Sequence, residues 1–270
     1  MGARSEFDGW DIHRSGPAGA AHRVLLLPGA LCTTAFLEDV TSQPALAEAG
    51  VAVLAVTLPG FGRTATPEDL SVENYARLVG GLAAGLGCDL VAGHSLGANV
   101  AMELAITGGF GGPVLLLDPS FSREDEAQDL AQLDRIGRVP GLGTLAWAVM
   151  LRLVPRTMED SFPPGRRAAL SADLRNNAPG VCRRLVREYF AYLDRQGSLA
   201  ARLRESGARA WIVRGDRTEI GLTDDERRAL EAGPNIRLIT VPDSGHMLVT
   251  EQPARVAQLI LDLLGVPAGR

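Results

Sequence analysis

Six short apolar runs, each closed by turn residues and followed by a helical pattern, limit what this chain can fold into more than any other feature. They occupy residues 24–27, 51–56, 90–92, 114–117, 211–213 and 236–241. Such runs, apolar without alternation, describe strands covered on both faces, and their alternation with helices is the βαβ pattern of a largely parallel sheet. The expected class is therefore α/β, with helices on both sides of the sheet. A weaker signal at residues 7–13 predicts one or two antiparallel edge strands ahead of the first run. With 270 residues, 46% of them hydrophobic, the chain can bury the core of one large domain.

The alternation stops after Pro119. Up to about Ser206 the chain carries helical stretches interrupted by Pro140, Gly141, Pro155, Pro163, Pro164, Pro179 and Gly180, with no strand run. Residues 121–205 are thus expected to be a helical insertion, a lid or cap, in a core made of residues 1–120 and 206–270. Within it Val181, Leu185, Tyr189 and Leu193 recur every fourth residue and define the apolar stripe of one amphipathic helix, with Arg183, Arg184 and Arg187 beside it. A last helix over residues 253–264 places Val256, Leu259, Ile260 and Leu263 on one face.

Charge and composition exclude several chemistries. The 27 basic and 32 acidic residues give a net charge of −5, no footprint for nucleic acid or an anionic membrane. Every basic residue is arginine, so a lysine Schiff base and a lysine-dependent phosphate loop are both excluded. Cys32, Cys88 and Cys182 are odd in number and far apart, which argues against a disulfide framework or a zinc site and fits a reducing cytosol. The N-terminal region has no apolar core of a signal peptide, and the longest apolar run, residues 145–153, is broken by Arg152 and too short to span a bilayer. No metal or organic cofactor is implied: the histidines and cysteines lack ligand spacing, and no G-x-G-x-x-G opens a helix after the first strand.

Chemistry concentrates at Gly93-His94-Ser95-Leu96-Gly97, which follows the run at 90–92 and precedes a helical pattern over 98–106. A sharp strand-to-helix turn holds such a serine in a strained conformation, and glycine on either side allows close backbone approach. The turn exposes Ser95 Oγ at a helix N-terminus, whose free N–H groups favour a developing oxyanion. A serine needs a base, and four histidines exist: His13, His22, His94 and His246. His94 is fixed inside the turn, and His13 and His22 lie in the polar N-terminal region, which leaves His246.

These residues resemble the α/β-hydrolase family over nearly the whole chain, from about Val24 to Leu264. The resemblance implies a catalytic triad, with His246 in the loop Pro242-Asp243-Ser244-Gly245-His246-Met247 as the base, and a lid after the strand that follows the nucleophile helix. The family's usual Gly-Asp-x-Asp reads Gly215-Asp216-Arg217-Thr218 here, and Thr218 cannot carry the negative charge. Asp118, Asp216 and Glu219 are the substitutes; Asp118 is preferred because it ends a strand at the carboxyl edge, where ligands bind in open α/β folds. The turn Leu27-Pro28-Gly29-Ala30-Leu31-Cys32 resembles the family's oxyanion loop, which implies Ala30 N–H, with Leu31 in reserve, as one donor and Leu96 N–H as the other. Leu31, Phe61, Trp147, Met150 and Leu151 are the expected pocket residues, with Cys32 beside them. The resemblance implies a serine hydrolase acting on a small-molecule carboxylic ester, thioester or lactone. A ligand-binding homologue with weak turnover, or non-hydrolytic acyl transfer or lyase chemistry, fits the same fold.

Overall fold

The computed structural model describes residues 9–62, 64–139 and 142–267. All six apolar runs are strands: β2 (His22–Leu27), β3 (Val51–Thr57), β4 (Leu90–His94), β5 (Val114–Leu117), β6 (Ala210–Gly215) and β7 (Ile236–Val241). The edge strand β1 (Asp11–Ser15) begins later than residues 7–13 suggest, and Phe7 and Asp8 lie outside the described residues. The seven strands form one sheet in the order β1-β3-β2-β4-β5-β6-β7, with β1 antiparallel to β3 and every other pairing parallel. Valine and leucine fill β5 and the buried part of β2, and β4 is Leu-Val-Ala-Gly-His, because both faces are covered: every residue of β4 and β5 is buried, as are the last four of β2.

The helices that matter here follow in chain order: α1 (Val72–Leu86), α2 (Leu96–Ile106), α3 (Gln128–Gly137), α4 (Gly143–Thr157), α5 (Arg167–Arg175), α6 (Pro179–Arg195), α7 (Leu199–Ser206), α8 (Asp224–Glu231) and α9 (Pro253–Leu264). α2 starts two residues earlier than the expected pattern because Ser95 is its N-cap and Leu96 and Gly97 already belong to the first turn. α9 coincides with the expected helix and buries Val256, Leu259, Ile260 and Leu263. Between β5 and β6 the described chain is helical, α3 to α7 with short 3-10 turns. α6 carries the expected stripe, with Leu185, Tyr189 and Leu193 buried and Val181 half-buried.

Polar ties hold this helical stretch to the sheet-bearing part. Arg166 bonds Asp39 at 2.7 Å, Glu38 at 2.7 Å and the Ala35 carbonyl at 2.6 Å. The Asn177 side chain donates to the Leu31 carbonyl at 2.8 Å and accepts from Gly62 N–H at 3.0 Å, joining two strand-end turns to the loop before α6.

The sheet order places the chemistry. β2 is flanked by β3 on one side and β4 on the other, so the winding direction reverses at the β2/β4 boundary, where open α/β sheets leave a crevice beyond the strands' carboxyl ends. Register aligns those ends: Leu27 faces Gly93, His94 faces Leu117, Leu117 faces Val213 and Gly215 faces Val241. Each residue following these strands therefore emerges at one edge.

Candidate active site

Backbone strain marks the site. Among the described residues, four that are not glycine have positive φ in the left-handed range: Leu31 at 68°, Ser95 at 52°, Asp118 at 54° and Asp243 at 56°. They follow β2, β4, β5 and β7, all at the carboxyl edge. Such conformations cost on the order of 1–3 kcal/mol each and persist where surrounding structure enforces them.

Two glycines enforce the turn at Ser95. A Cβ on Gly93 would stand 2.1 Å from the Gly97 carbonyl oxygen, and one on Gly97 would stand 2.5 Å from the Pro28 carbonyl oxygen. Only hydrogen fits at either place, which is the physical content of the G-x-S-x-G spacing. Ser95 N–H bonds the Leu117 carbonyl at 2.9 Å, while the Ser95 carbonyl accepts from Ala98 at 2.8 Å and Asn99 at 3.0 Å, so strand and helix both grip this residue. The turn 28–31 comes directly against it: a Cβ on Gly29 would lie 3.2 Å from Ser95 Cβ. The amides of Ala30, Leu31 and Leu96 donate to no acceptor among the described residues.

His246 and Asp118 meet. His246 Nδ1 lies 2.6 Å from Asp118 Oδ2, across 128 residues of sequence. Asp118 is 1% exposed, and its backbone is anchored by a 2.8 Å bond from its N–H to the Val213 carbonyl. Its Oδ2 also accepts from the Thr218 hydroxyl, while Oδ1 is buried without a partner. A carboxylate in this position fixes the imidazole with its proton on Nδ1 and its lone pair on Nε2. Burial works against charging the His246 ring, but the hydrogen bond and negative charge of Asp118 outweigh it, aided by Glu219 and Glu126, and its pKa stands above the usual histidine value.

The other candidate acids lie elsewhere. Asp216 is exposed, and its Oδ1 accepts the Ser244 N–H at 3.2 Å; Glu219 is exposed one residue beyond Thr218.

His94, His13 and His22 do not join the pair as bases. His94 is buried and donates through Nε2 to the His246 carbonyl at 2.8 Å, which leaves Nδ1 as an acceptor with no partner. Burial, reinforced by the positive charge His246 can carry, lowers its pKa to about 3, so it stays neutral and its role is to hold the His246 backbone. The imidazole rings lie 4.9 Å apart between centroids.

Residues the sequence did not single out complete the surroundings. Asn99, one turn into α2, donates to the Ser120 carbonyl at 2.7 Å and accepts from Ser120 N–H at 3.3 Å, locking the segment after Asp118 onto the helix that begins at Ser95. Glu126 Oε1 accepts from Ser120 Oγ and from Tyr189 Oη, each at 2.5 Å, which links that segment to α6.

The expected pocket residues separate into two groups. Leu31, Phe61 and Cys32 are buried around the turns after β2 and β3, and Cys32 is a thiol whose pKa burial raises far above its usual value, so it is no nucleophile. Trp147 and Leu151 are buried in the packing of the helical stretch, with the Trp147 indole N–H against Gly137, while Met150 lines a groove on the outer side of α4. No cluster of three or more metal-type ligands occurs among the described residues.

A strained serine at the start of the helix after β4, facing a glycine turn after β2, with a histidine after β7 held by a buried aspartate, is the arrangement of an α/β hydrolase. The chain belongs to the alpha/beta hydrolase family, whose model matches residues 24–259. Among solved structures it is similar to a thermophilic esterase from Thermogutta terrifontis, at 18% identity, covering 95% of this chain and 93% of that one, with a TM-score of 0.72. It also resembles a putative lipase from Acinetobacter baumannii, at 20% identity over 94% of this chain and 87% of that one, TM-score 0.71. An enol-lactonase from Burkholderia xenovorans gives 17% identity over 95% and 96%, TM-score 0.70. At these identities the likeness is one of fold. No curated protein sequence matches the chain significantly. No helix among the described residues is long and apolar enough to cross a membrane.

Proposed function

We propose that this protein is a serine hydrolase that cleaves a small-molecule carboxylic ester, thioester or lactone through an acyl-enzyme on Ser95. The observation that carries the reading is the 2.6 Å contact between His246 Nδ1 and the buried Asp118 carboxylate, at the same sheet edge as a serine held at φ 52°. In this scheme His246 Nε2 takes the Ser95 Oγ proton as the oxygen attacks the carbonyl, and Asp118 stabilises the resulting imidazolium. The Ala30 and Leu96 amides bind the oxyanion, each worth about 3–4 kcal/mol in the transition state. The imidazolium then protonates the leaving oxygen or sulfur, and water, activated by the same imidazole, releases the acid. Residues 121–205 act as a cap over the core of residues 1–120 and 206–270, with Leu31 and Phe61 lining the acyl side.

The serine itself selects among chemistries that share this fold. An epoxide hydrolase and a haloalkane dehalogenase are also structural neighbours. Attack of serine on an epoxide or an alkyl halide would leave an ether, which offers no carbonyl through which water could release the product. Attack on a carbonyl leaves an ester, which the same base and oxyanion donors can hydrolyse. The test is turnover of p-nitrophenyl acetate, butyrate and octanoate by wild type and Ser95→Ala. Multiple turnovers lost in Ser95→Ala support the reading, and the chain-length preference sizes the pocket; equal rates in both would refute it.

A further inference from the structure

The outer side of the α3–α4 hairpin is apolar where nothing among the described residues covers it. Among the described residues, six large apolar side chains stand 43–62% exposed, and all belong to this hairpin: Ile136, Val139, Leu142, Leu145, Val149 and Leu153. α4 is apolar on two opposite faces. Its inner face, Gly143, Trp147, Leu151 and Pro155 at four-residue spacing, is buried, while Leu145, Val149 and Leu153 repeat the same spacing on the other side. A second apolar face on a helix needs a second partner. Between α3 and the outer face of α4 runs a groove of about 590 Å³.

Charge identifies the partner. The hairpin, residues 128–157, holds four arginines, Arg135, Arg138, Arg152 and Arg156, all exposed, against two acids, Asp129 and Asp134, the latter buried and bonded to Arg123 and Arg138; of the two acids that follow α4, Glu159 and Asp160, Glu159 pairs with Arg167. Arg152 follows Val149 by three residues and Arg156 follows Leu153 by three, so both share the apolar face of α4. Asp129, at the start of α3, is the one carboxylate lining the groove. The net charge of −5 is an average that conceals this local excess of positive charge. A second copy laid on the same face would bring the two sets of arginines together, which like-charge repulsion disfavours. An anionic bilayer satisfies both features, because aliphatic side chains enter the acyl boundary while guanidinium groups meet lipid phosphates. We propose that the α3–α4 hairpin is a docking surface for a bilayer containing anionic phospholipid. This inference does not rest on the chemistry assigned to Ser95.

The experiment is flotation of the whole chain with vesicles of phosphatidylcholine alone and with added phosphatidylglycerol, accompanied by light scattering in solution. Wild type is expected to float with the anionic vesicles, not the neutral ones, and to detach as salt screens the arginines. Leu145→Asn with Val149→Asn is expected to abolish flotation. Arg152→Gln with Arg156→Gln is expected to weaken it about 25-fold, at about fivefold per arginine near a charged surface. All four side chains are exposed, so the variants should melt as wild type does, which separates lost docking from lost folding. Wild type left behind by anionic vesicles, or floating equally well after either pair of substitutions, would overturn the proposal. So would a dimer in solution that the asparagine pair splits, since the second copy would then be the occupant.

Discussion

Replacing Asp118 by asparagine should separate activity from stability. Asparagine can keep its carbonyl oxygen where Oδ2 stands, accepting from His246 Nδ1 and Thr218 Oγ1, and place its amide where Oδ1 stands, a buried position with no partner. An unsatisfied buried donor costs about 1–3 kcal/mol, but a buried negative charge disappears at the same time, so the net change in stability should stay within about 2 kcal/mol. The rate has no such compensation. A neutral amide cannot stabilise the imidazolium of the transition state and can offer the ring the wrong hydrogen-bond polarity, and the same change lowers kcat about 10⁴-fold in serine proteases. That corresponds to about 5.4 kcal/mol at 1.36 kcal/mol per decade.

The pH profile adds a second readout. In wild type, kcat/KM should rise with pH as His246 loses its proton, at a pKa lifted above the usual histidine value chiefly by Asp118 against the opposing effect of burial. In Asp118→Asn the lifting charge is gone and burial dominates, so the acid limb of the residual activity should move to lower pH. The assay is p-nitrophenyl ester hydrolysis across pH, with Asp216→Asn as the comparison because Asp216 is exposed and bonded to Ser244 N–H instead of His246. An Asp118→Asn enzyme within about threefold of wild-type kcat, with an unmoved acid limb, would refute the assignment.

Two further outcomes follow from the same geometry. Gly97→Ala places a Cβ 2.5 Å from the Pro28 carbonyl oxygen and 2.9 Å from Leu27 Cβ, so the turn after β2 must retreat; a loss of about 1–3 kcal/mol in urea unfolding is expected, together with a fall in kcat beyond what the remaining folded fraction explains. Because the folded pKa of His246 is raised, its ion pair with Asp118 stabilises the fold fully below the unfolded pKa and is lost as pH rises through the folded value. The melting temperature of wild type should therefore exceed that of Asp118→Asn by more at pH 6 than at pH 9.

What the sequence reveals follows from how locally each feature is determined. The parallel strands announce themselves because burial on both faces demands unbroken apolar runs, and the turn at Ser95 does so because only glycine tolerates a neighbour's carbonyl oxygen at 2.1 to 2.5 Å. The edge strand β1 carries a weaker pattern, since it is exposed on much of its surface, and its limits shift accordingly. The supporting roles of His94, Asn99 and Thr218 are illegible for a different reason: each acts through hydrogen bonds to residues far away in sequence, which no spacing along the chain encodes. The helical stretch is the hardest to read, because α4 is apolar on both faces and a helical period alone does not say which face meets the site.

With Asp118 as the proposed acid, Thr218 and Asp118 together explain how the acid can leave its usual strand. β5 and β6 are neighbours in parallel register, with Leu117 opposite Val213, so a side chain following β5 and one in the loop after β6 approach the same point from adjacent strands. Thr218 Oγ1 and His246 Nδ1 both donate to one atom, Asp118 Oδ2, which places residue 218 beside the imidazole as well. The threonine thus does more than vacate a position: it supplies a donor that a carboxylate there could not. The two residues should therefore be exchangeable as a pair. Thr218→Asp in the Asp118→Asn background offers a carboxylate to the ring from β6 and an asparagine amide to hold it from β5. Recovery of at least about tenfold of the lost kcat, with the acid limb returning to higher pH, is expected. A double variant no more active than Asp118→Asn, yet folded, would mean that only the strained backbone at Asp118, φ 54°, aims a carboxylate correctly at His246.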